Sequence, residues 1–241
     1  FLKELTYQYL RLAHPLLREM DGDRLSTDTS LNREDSFLRN YRRSAKKGYQ
    51  SKKAYEISGE RLNPEELGVI HGFVSIPALK EVCHRRGLSI NEYLVATYVW
   101  SIYRECLHGM TNDRAIRAAV PVNLRPFFDS VTTKNFFAMV SAELVPDEEN
   151  MSYEQVVERV KESLRAQINK EHLEELFSYN VSNQQNLFAR SVPLFLKNIA
   201  IRLVYTRSAL ANTTTMTNIG NVKLLPEYEP YVHMFHAFLA M

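Results

Sequence analysis

The central motif of this chain is Ala119-Val120-Pro121-Val122-Asn123-Leu124-Arg125-Pro126. An apolar run from Ala115 to Val122 ends here in a polar turn between two prolines, and a basic residue stands at its exit. Loops that leave a rigid strand often carry functional groups, because the strand aims them. Most strand exits of this kind are only turns, so the local pattern leaves both interpretations open.

The composition is that of an ordinary globular protein. Of 241 residues, 45% are hydrophobic and 24% are charged, and the formal net charge of +2 is too balanced to favour nucleic acid as a partner. Cys83 and Cys106 both fall in helix-like apolar patterns, which is typical of reduced core thiols. No window reaches the roughly 18 apolar residues of a membrane-spanning helix.

Apolar periodicity predicts a mixed α/β layer in which helices pack on one sheet. The predicted helices include 76–86 and 91–108, the second opened by a Ser89–Glu92 capping box. Further helices are expected at 1–16, 34–47 and 152–168, with one or two more between 173 and 210. The predicted strands are 69–76, 115–122, 135–144, 213–218 and 232–239.

Two patterns, one of basic residues and one of histidines, each have a functional and a simpler structural interpretation. The basic residues between Arg39 and Lys53 suit the phosphates of coenzyme A, but without a glycine-rich loop a solvated connector is favoured. His233 and His236 point to opposite sides of a predicted strand and have no Cys or carboxylate cluster beside them, so no metal is expected.

Pro121-Val122-Asn123-Leu124-Arg125 resembles the Pro-Val-Asn-Leu-Arg signature of the condensation-domain-like acyltransferases, which share the chloramphenicol acetyltransferase fold. The alcohol acetyltransferases are the most similar branch. Thr217-Asn218-Ile219-Gly220 resembles the second signature of this superfamily, a Ser/Thr-Asn-x-Gly element beside its substrate tunnel. Gly87-Leu88-Ser89-Ile90-Asn91 and the first helix also resemble that superfamily, so the resemblance runs along nearly the whole chain.

The resemblance implies one half of a two-subdomain fold with a tunnel between two α/β halves. It also implies transfer of an acyl group from an acyl-CoA donor to a hydroxyl, with no permanently bound cofactor. A catalytic His-His-x-x-x-Asp-Gly motif precedes the first helix in that superfamily, and this chain lacks it. The chain is therefore expected to be a C-terminal part, truncated at both ends and inactive without the missing N-terminal half. Residues 1–66 are assigned to a helix and connector and 67–241 to the acyltransferase subdomain.

Roles are predicted for five residues, that of Arg125 from the resemblance and that of Asn218 from its chemistry, as the best side-chain donor of its β-prone stretch. Asn218 is the candidate catalytic donor to a thioester oxyanion, and Thr217 and Gly220 line the tunnel. Arg125 and Asn123 support the active site, because the family arginine pairs with the aspartate of the absent motif. A second interpretation of Asn218 is a local side-chain-to-backbone cap, as Asn commonly forms.

Two other functions remain open at this stage. One is a condensation domain of a peptide synthetase that takes its acyl group from a carrier protein, and the other is a non-catalytic binding relative. The Asn-Leu pair of the central motif favours the free-standing acetyltransferases. A cytoplasmic location without a membrane span or nucleic acid is expected, and the acceptor is an alcohol or amine that the sequence does not specify.

Overall fold

The computed structural model describes residues 2–20, 33–43, 52–60, 62–63, 65–66, 68–185 and 191–236. These residues form a mixed α/β protein, as the sequence predicts. The chain divides into a smaller unit of residues 1–35, 131–135 and 218–241 and a larger unit of residues 36–130 and 136–217. The sequence-based boundary after residue 66 stays a prediction.

The larger unit is built on a sheet whose described strands lie in the order β2-β1-β3. β1 spans Ile116–Asn123 and pairs antiparallel with β2, Phe137–Leu144, in an unbroken register. β3, Thr214–Thr215, pairs with β1 in parallel. β1 is the central strand, since both other strands pair with it. Its residues 116–120 are all buried, which indicates that the strand is covered on both faces.

Two capped helices precede β1 in the chain. α4 is Ile76–Arg85 and α5 is Ile90–Cys106, close to the predicted limits. α4 packs mainly on α5 and not, as expected, on the sheet. Both bonds of the predicted capping box between Ser89 and Glu92 are present. α5 packs on β1 and against α7, Tyr153–Gln167, which also packs on β2 and begins with its own capping box.

The remaining helices of the larger unit surround this core. They are α3 at Ser36–Asn40, α6 at Arg125–Phe128, α8 at Lys170–Gln185 and α9 at Leu194–Ala209. Aromatic rings fill the space between α3, α6 and α8: Phe128 and Phe177 have centroids 5.2 Å apart, and Phe136 packs edge-on against Phe37 at 4.9 Å. α9 differs, because its large apolar side chains, including Phe195, are exposed.

The smaller unit contains α1, Leu2–Ala13, and α2, Pro15–Met20, followed near the end of the chain by a 3₁₀ helix at Glu229–Tyr231. The helix expected at 1–16 is interrupted near Pro15, because α1 ends at Ala13 and α2 begins at that proline. Tyr7 packs on Tyr228 with ring centroids 4.5 Å apart, and its hydroxyl accepts a hydrogen bond from the amide of Leu225. This contact joins the two ends of the sequence within the unit.

The predicted strand at 69–76 is wrong. Residues 68–75 form no strand, and the side chain of Ile70 is 99% exposed. One reason lies at the outer edge of β2, where a joining strand would need free backbone groups. There α7 side chains already bind the backbone: Gln167 accepts from the amide of Ser141 and donates to its carbonyl, and Ser163 accepts from the amide of Glu143.

Three other expected elements are shorter than predicted or absent. The strand expected at 213–218 is limited to β3. Residues 232–236 form no strand, since the chain has just left the 3₁₀ helix that contains Pro230; residues 237–239 lie outside the described part. The helix expected at 34–47 is limited to α3, and residues 44–47 are also outside the described part.

Candidate functional site

The central motif forms the exit of β1 and the first turn of α6. Asn123 is the last, exposed residue of the strand, and Arg125 begins the helix. Leu124 between them is fully buried, and its amide donates to the carbonyl of Phe136 at 3.2 Å. The buried leucine anchors the turn, while Asn123 is exposed and Arg125 is half-buried.

Asn123 holds Arg125 through a single oxygen. Its Oδ1 accepts from the backbone amide of Arg125 at 3.2 Å and from the guanidinium Nη1 at 3.1 Å. The same side chain therefore satisfies an amide at the start of α6 and orients the half-buried arginine. The structure brings these two predicted support residues together, while their role in catalysis stays a prediction.

The far end of α6 fixes this turn from the other side. Asp129 ends the helix in the left-handed region, with φ 46°. Ser130, the next residue, is buried and shares a hydrogen bond of 2.6 Å with the hydroxyl of Ser36. The motif is thus held at both ends, by Leu124 and by Ser130.

Thr217 follows β3 and is exposed. The last hydrogen bond of the β1–β3 pairing runs from the amide of Met216 to the carbonyl of Ala119, at 2.9 Å. Because β1 and β3 are parallel, Asn123 and Thr217 both come after the carboxyl ends of their strands, which meet at the same edge of the sheet.

Asn218 and Gly220 belong to the smaller unit and are both exposed. Oδ1 of Asn218 accepts from the amide of Gly220 at 2.8 Å, and Gly220 has φ +76°, a conformation that favours glycine. The local bond required by the capping interpretation is therefore present. It uses the carbonyl oxygen of the side chain, so the amide NH₂ that an oxyanion would need is not consumed by it.

Arg117 is an important residue that sequence reasoning missed. It lies within the apolar run of β1, is 8% exposed, and pairs with Glu143, its cross-strand neighbour. Its Nη1 also donates to the carbonyl of Lys52 at 2.7 Å, and its backbone amide to the hydroxyl of Thr213 at 3.1 Å. A charged residue in an otherwise apolar strand was the available signal, because a buried arginine requires partners.

Two open grooves lie beside this network. The larger, about 490 Å³, is lined by residues 56–60 and Arg114. The second, about 260 Å³, shares Glu56, Ile57 and Arg114 with the first and is also lined by residues 53–55, Leu210, Asn212 and Thr213. The five residues with predicted roles do not line either groove, so the grooves give no support to those assignments.

The basic segment and the histidines, which the sequence offered as alternative sites, do not form a ligand site in the described residues. Arg42, from the basic segment, pairs with Glu174 on α8, and its amide donates to the hydroxyl of Ser178 at 3.0 Å, as a connector would. Within the described ranges, no three His, Cys, Asp or Glu side chains gather in a way that could hold a metal ion. The helices placed by the structure include none with the length and apolar character needed to cross a bilayer.

Comparison with models of known protein families gives no match, and no curated protein matches the sequence.

Proposed function

We propose that this chain is part of an acyl-CoA-dependent O-acyltransferase of the alcohol acetyltransferase type. One observation supports this most directly. Asn123 and Thr217, one from each segment that resembles a signature of that superfamily, are about 90 residues apart in sequence, yet they follow β1 and β3, neighbouring parallel strands. Chance resemblance in two unrelated loops does not require a shared sheet edge.

The proposed reaction forms an ester and releases a thiol. A general base takes the proton of the acceptor hydroxyl, whose oxygen attacks the thioester carbonyl carbon. The carbon–sulfur bond then breaks, and the coenzyme A sulfur receives the proton. The base is the histidine of the His-His-x-x-x-Asp-Gly motif, so the activity requires the N-terminal half of the same protein, and acyl-CoA is a substrate rather than a resident cofactor.

The residues of this chain would act on the acyl group and on the fold of the site. The NH₂ of Asn218 is proposed to donate to the oxygen that becomes negative during attack, because preorganised donors at that point lower the barrier. The turn closed by Gly220 orients the Asn218 amide through the 2.8 Å bond. Arg125, held by Asn123, is proposed to bind the aspartate of the histidine motif as a planar, permanently charged fork.

The experiment is an acyl-transfer assay on a protein that contains both this chain and the upstream half. Acetyl-CoA and a series of primary alcohols are supplied, and thiol release is followed together with ester formation. We expect both products in equal amounts, in a cytoplasmic enzyme that needs no added metal. Transfer from a carrier-protein thioester but not from acetyl-CoA would replace this proposal with a condensation domain. Binding without any transfer would replace it with a non-catalytic relative.

A further inference from the structure

Pro121 lies at the point where the pairing of β1 with β3 stops. The backbone of β1 alternates its partners along the strand. The carbonyls of Arg117 and Ala119 accept bonds from the β3 side, from Thr213 at 2.8 Å and Met216 at 2.9 Å. The odd-numbered residues of β1 therefore direct their backbone groups toward β3.

Pro121 is the next odd-numbered residue, and it has no amide hydrogen. The register that pairs Ala119 with Thr215 would place residue 121 opposite Thr217. In a parallel ladder, the amide of residue 121 would then donate to the carbonyl of Met216. Proline lacks this donor, and its ring occupies the space on that side of the strand.

The same proline leaves the pairing of β1 with β2 intact. Its β2 neighbour is Met139, and the antiparallel register continues past this pair to Asn123 and Phe137. Because the backbone nitrogen of Pro121 points away from β2, the missing amide hydrogen removes no hydrogen bond from the β1–β2 ladder. The effect of the proline is thus limited to the β3 side.

We propose that Pro121 is a positioning residue. By ending the β1–β3 ladder after Met216, it keeps Thr217 out of the sheet, where its exposed hydroxyl is available to a bound acyl group. This role explains why β3 contains only Thr214 and Thr215 although the β-prone sequence continues beyond them. The identity of the ligand as an acyl thioester rests on the proposed function, but the effect on the ladder does not.

The first test is amide hydrogen exchange, measured residue by residue by NMR on the unmodified 241-residue chain. The amide of Met216 should be protected, since it is bonded to Ala119, and the amide of Asn218, the next one that a continued ladder would direct toward β1, should exchange close to its intrinsic rate. Equal protection of both amides would overturn the proposal, because the ladder would then continue past Pro121. This measurement needs no variant and does not depend on enzyme activity.

The second test is Pro121→Ala, which supplies the missing donor. The new amide at position 121 should be protected from exchange at least tenfold, and the resonances of Met216 and Thr217 should shift as the ladder extends. The matched control is Pro126→Ala, in α6 of the same motif, which should leave those resonances unchanged. A folded Pro121→Ala protein whose new amide exchanges at the intrinsic rate would refute the proposal.

N-Methylalanine at position 121 separates the missing hydrogen from the ring. It also lacks the donor, so it should retain the exchange pattern of the unmodified chain, and behaviour like Pro121→Ala would contradict the role given to the amide.

In the intact enzyme, Pro121→Ala should lower kcat by roughly a hundredfold with KM for acyl-CoA nearly unchanged, because small misplacements of an active-site group have effects of that size. The expected exchange pattern in an intact protein without transferase activity would refute the proposed function and leave the role of Pro121 standing. Transferase activity in the intact protein, together with no extension of the β1–β3 ladder in Pro121→Ala, would refute the role of Pro121 and leave the proposed function standing.

Discussion

At the scale of single residues, the substitution Asn218→Ala distinguishes a catalytic role of Asn218 from a structural one. In the intact enzyme, Asn218→Ala should fold normally, keep its affinity for acyl-CoA and lose roughly a hundredfold in kcat, the typical effect of removing one oxyanion donor. The check is steady-state kinetics with thermal unfolding. Asn221→Ala is the matched control, as another exposed Asn of the same loop. Unchanged turnover with a stability loss of about 1 kcal/mol would instead assign Asn218 to capping through its bond to Gly220.

Arg125 is expected to act through order rather than chemistry. Its guanidinium binds Asn123, a neighbour in its own turn, which is the geometry of a side chain that organises a loop. In the intact enzyme Arg125→Ala should therefore lower both activity and melting temperature. Arg125→Lys should restore little, because an ammonium cannot reproduce the planar fork. Lost activity at an unchanged melting temperature would show direct participation in the reaction.

Glu92 gives stability a pH dependence of known sign. Burial raises the pKa of Glu92, but hydrogen bonds from Arg165 and from Ser89 outweigh it, so that the net pKa is lowered. The ionised carboxylate therefore stabilises the fold above its unfolded pKa of about 4.3, and this contribution is lost as the pH falls through the lower folded pKa. Glu92→Gln should reduce the urea midpoint at pH 7.

The difference in urea midpoint between Glu92→Gln and the unmodified chain should be smaller at pH 3 than at pH 7. The contribution of the ionised Glu92 carboxylate is lost at low pH, whereas Gln keeps the capping geometry and carries no charge at either pH. Glu162→Gln, at an exposed position on α7, removes the same charge without a capping bond and serves as the control. A difference that stays constant from pH 7 to pH 3 would contradict the assigned cause.

At the scale of elements, the central motif depends on the buried residue between its polar ones. Leu124 is fully buried against the core that contains Phe128 and Phe136. Leu124→Ala should cost about 3 kcal/mol, as deletion of a buried leucine side chain generally does. Val145→Ala, at an exposed site just after β2, should change the free energy of unfolding by less than about 0.5 kcal/mol. Chemical denaturation measures both, and similar losses would show that the turn is not anchored by its leucine.

The sequence predicts those elements whose signals are local. The apolar run of β1, the capping box of α5 and the apolar spacing of α7 act within a few residues, and the structure confirms these elements. Segment 69–76 has an equally strand-like pattern, but a strand also needs a partner edge, and Gln167 and Ser163 bind part of the β2 edge. Whether the β2 edge is free depends on side chains about 90 residues away from segment 69–76, so the local sequence pattern does not predict it.

The candidate site is predictable to a similar extent. The resemblance selects Asn123 and Arg125 by motif, and the structure adds that a single amide oxygen joins them. The partners of Arg117 come from β2, from Lys52 and from the residue before β3, so only the assembled sheet reveals them. Pairings between distant segments are the part that the sequence does not supply.

At the scale of the whole molecule, α9 is a long apolar helix that the described structure leaves uncovered. Ile199 is 59% exposed and Leu203 61% exposed, and apolar residues surround the helix on every side. A helix of this kind is normally enclosed by other protein, since exposed apolar surface is unfavourable in water. The proposed enzyme supplies a covering partner, namely the N-terminal half that carries the catalytic histidine.

We therefore expect α9 to be exposed in this chain alone and protected in the intact protein. Hydrogen exchange should show a rise in protection of residues 194–209 when the N-terminal half is present, while α7, already packed on β2, should change little. Ile199→Asp and Leu203→Asp should alter the stability of the chain alone by less than about 0.5 kcal/mol, because both sites are solvent-facing there. In the intact enzyme the same variants should weaken association of the halves and reduce activity, since they bury an unpaired charge. Equal protection of α9 in both proteins, together with full activity of both variants, would show that the N-terminal half docks elsewhere.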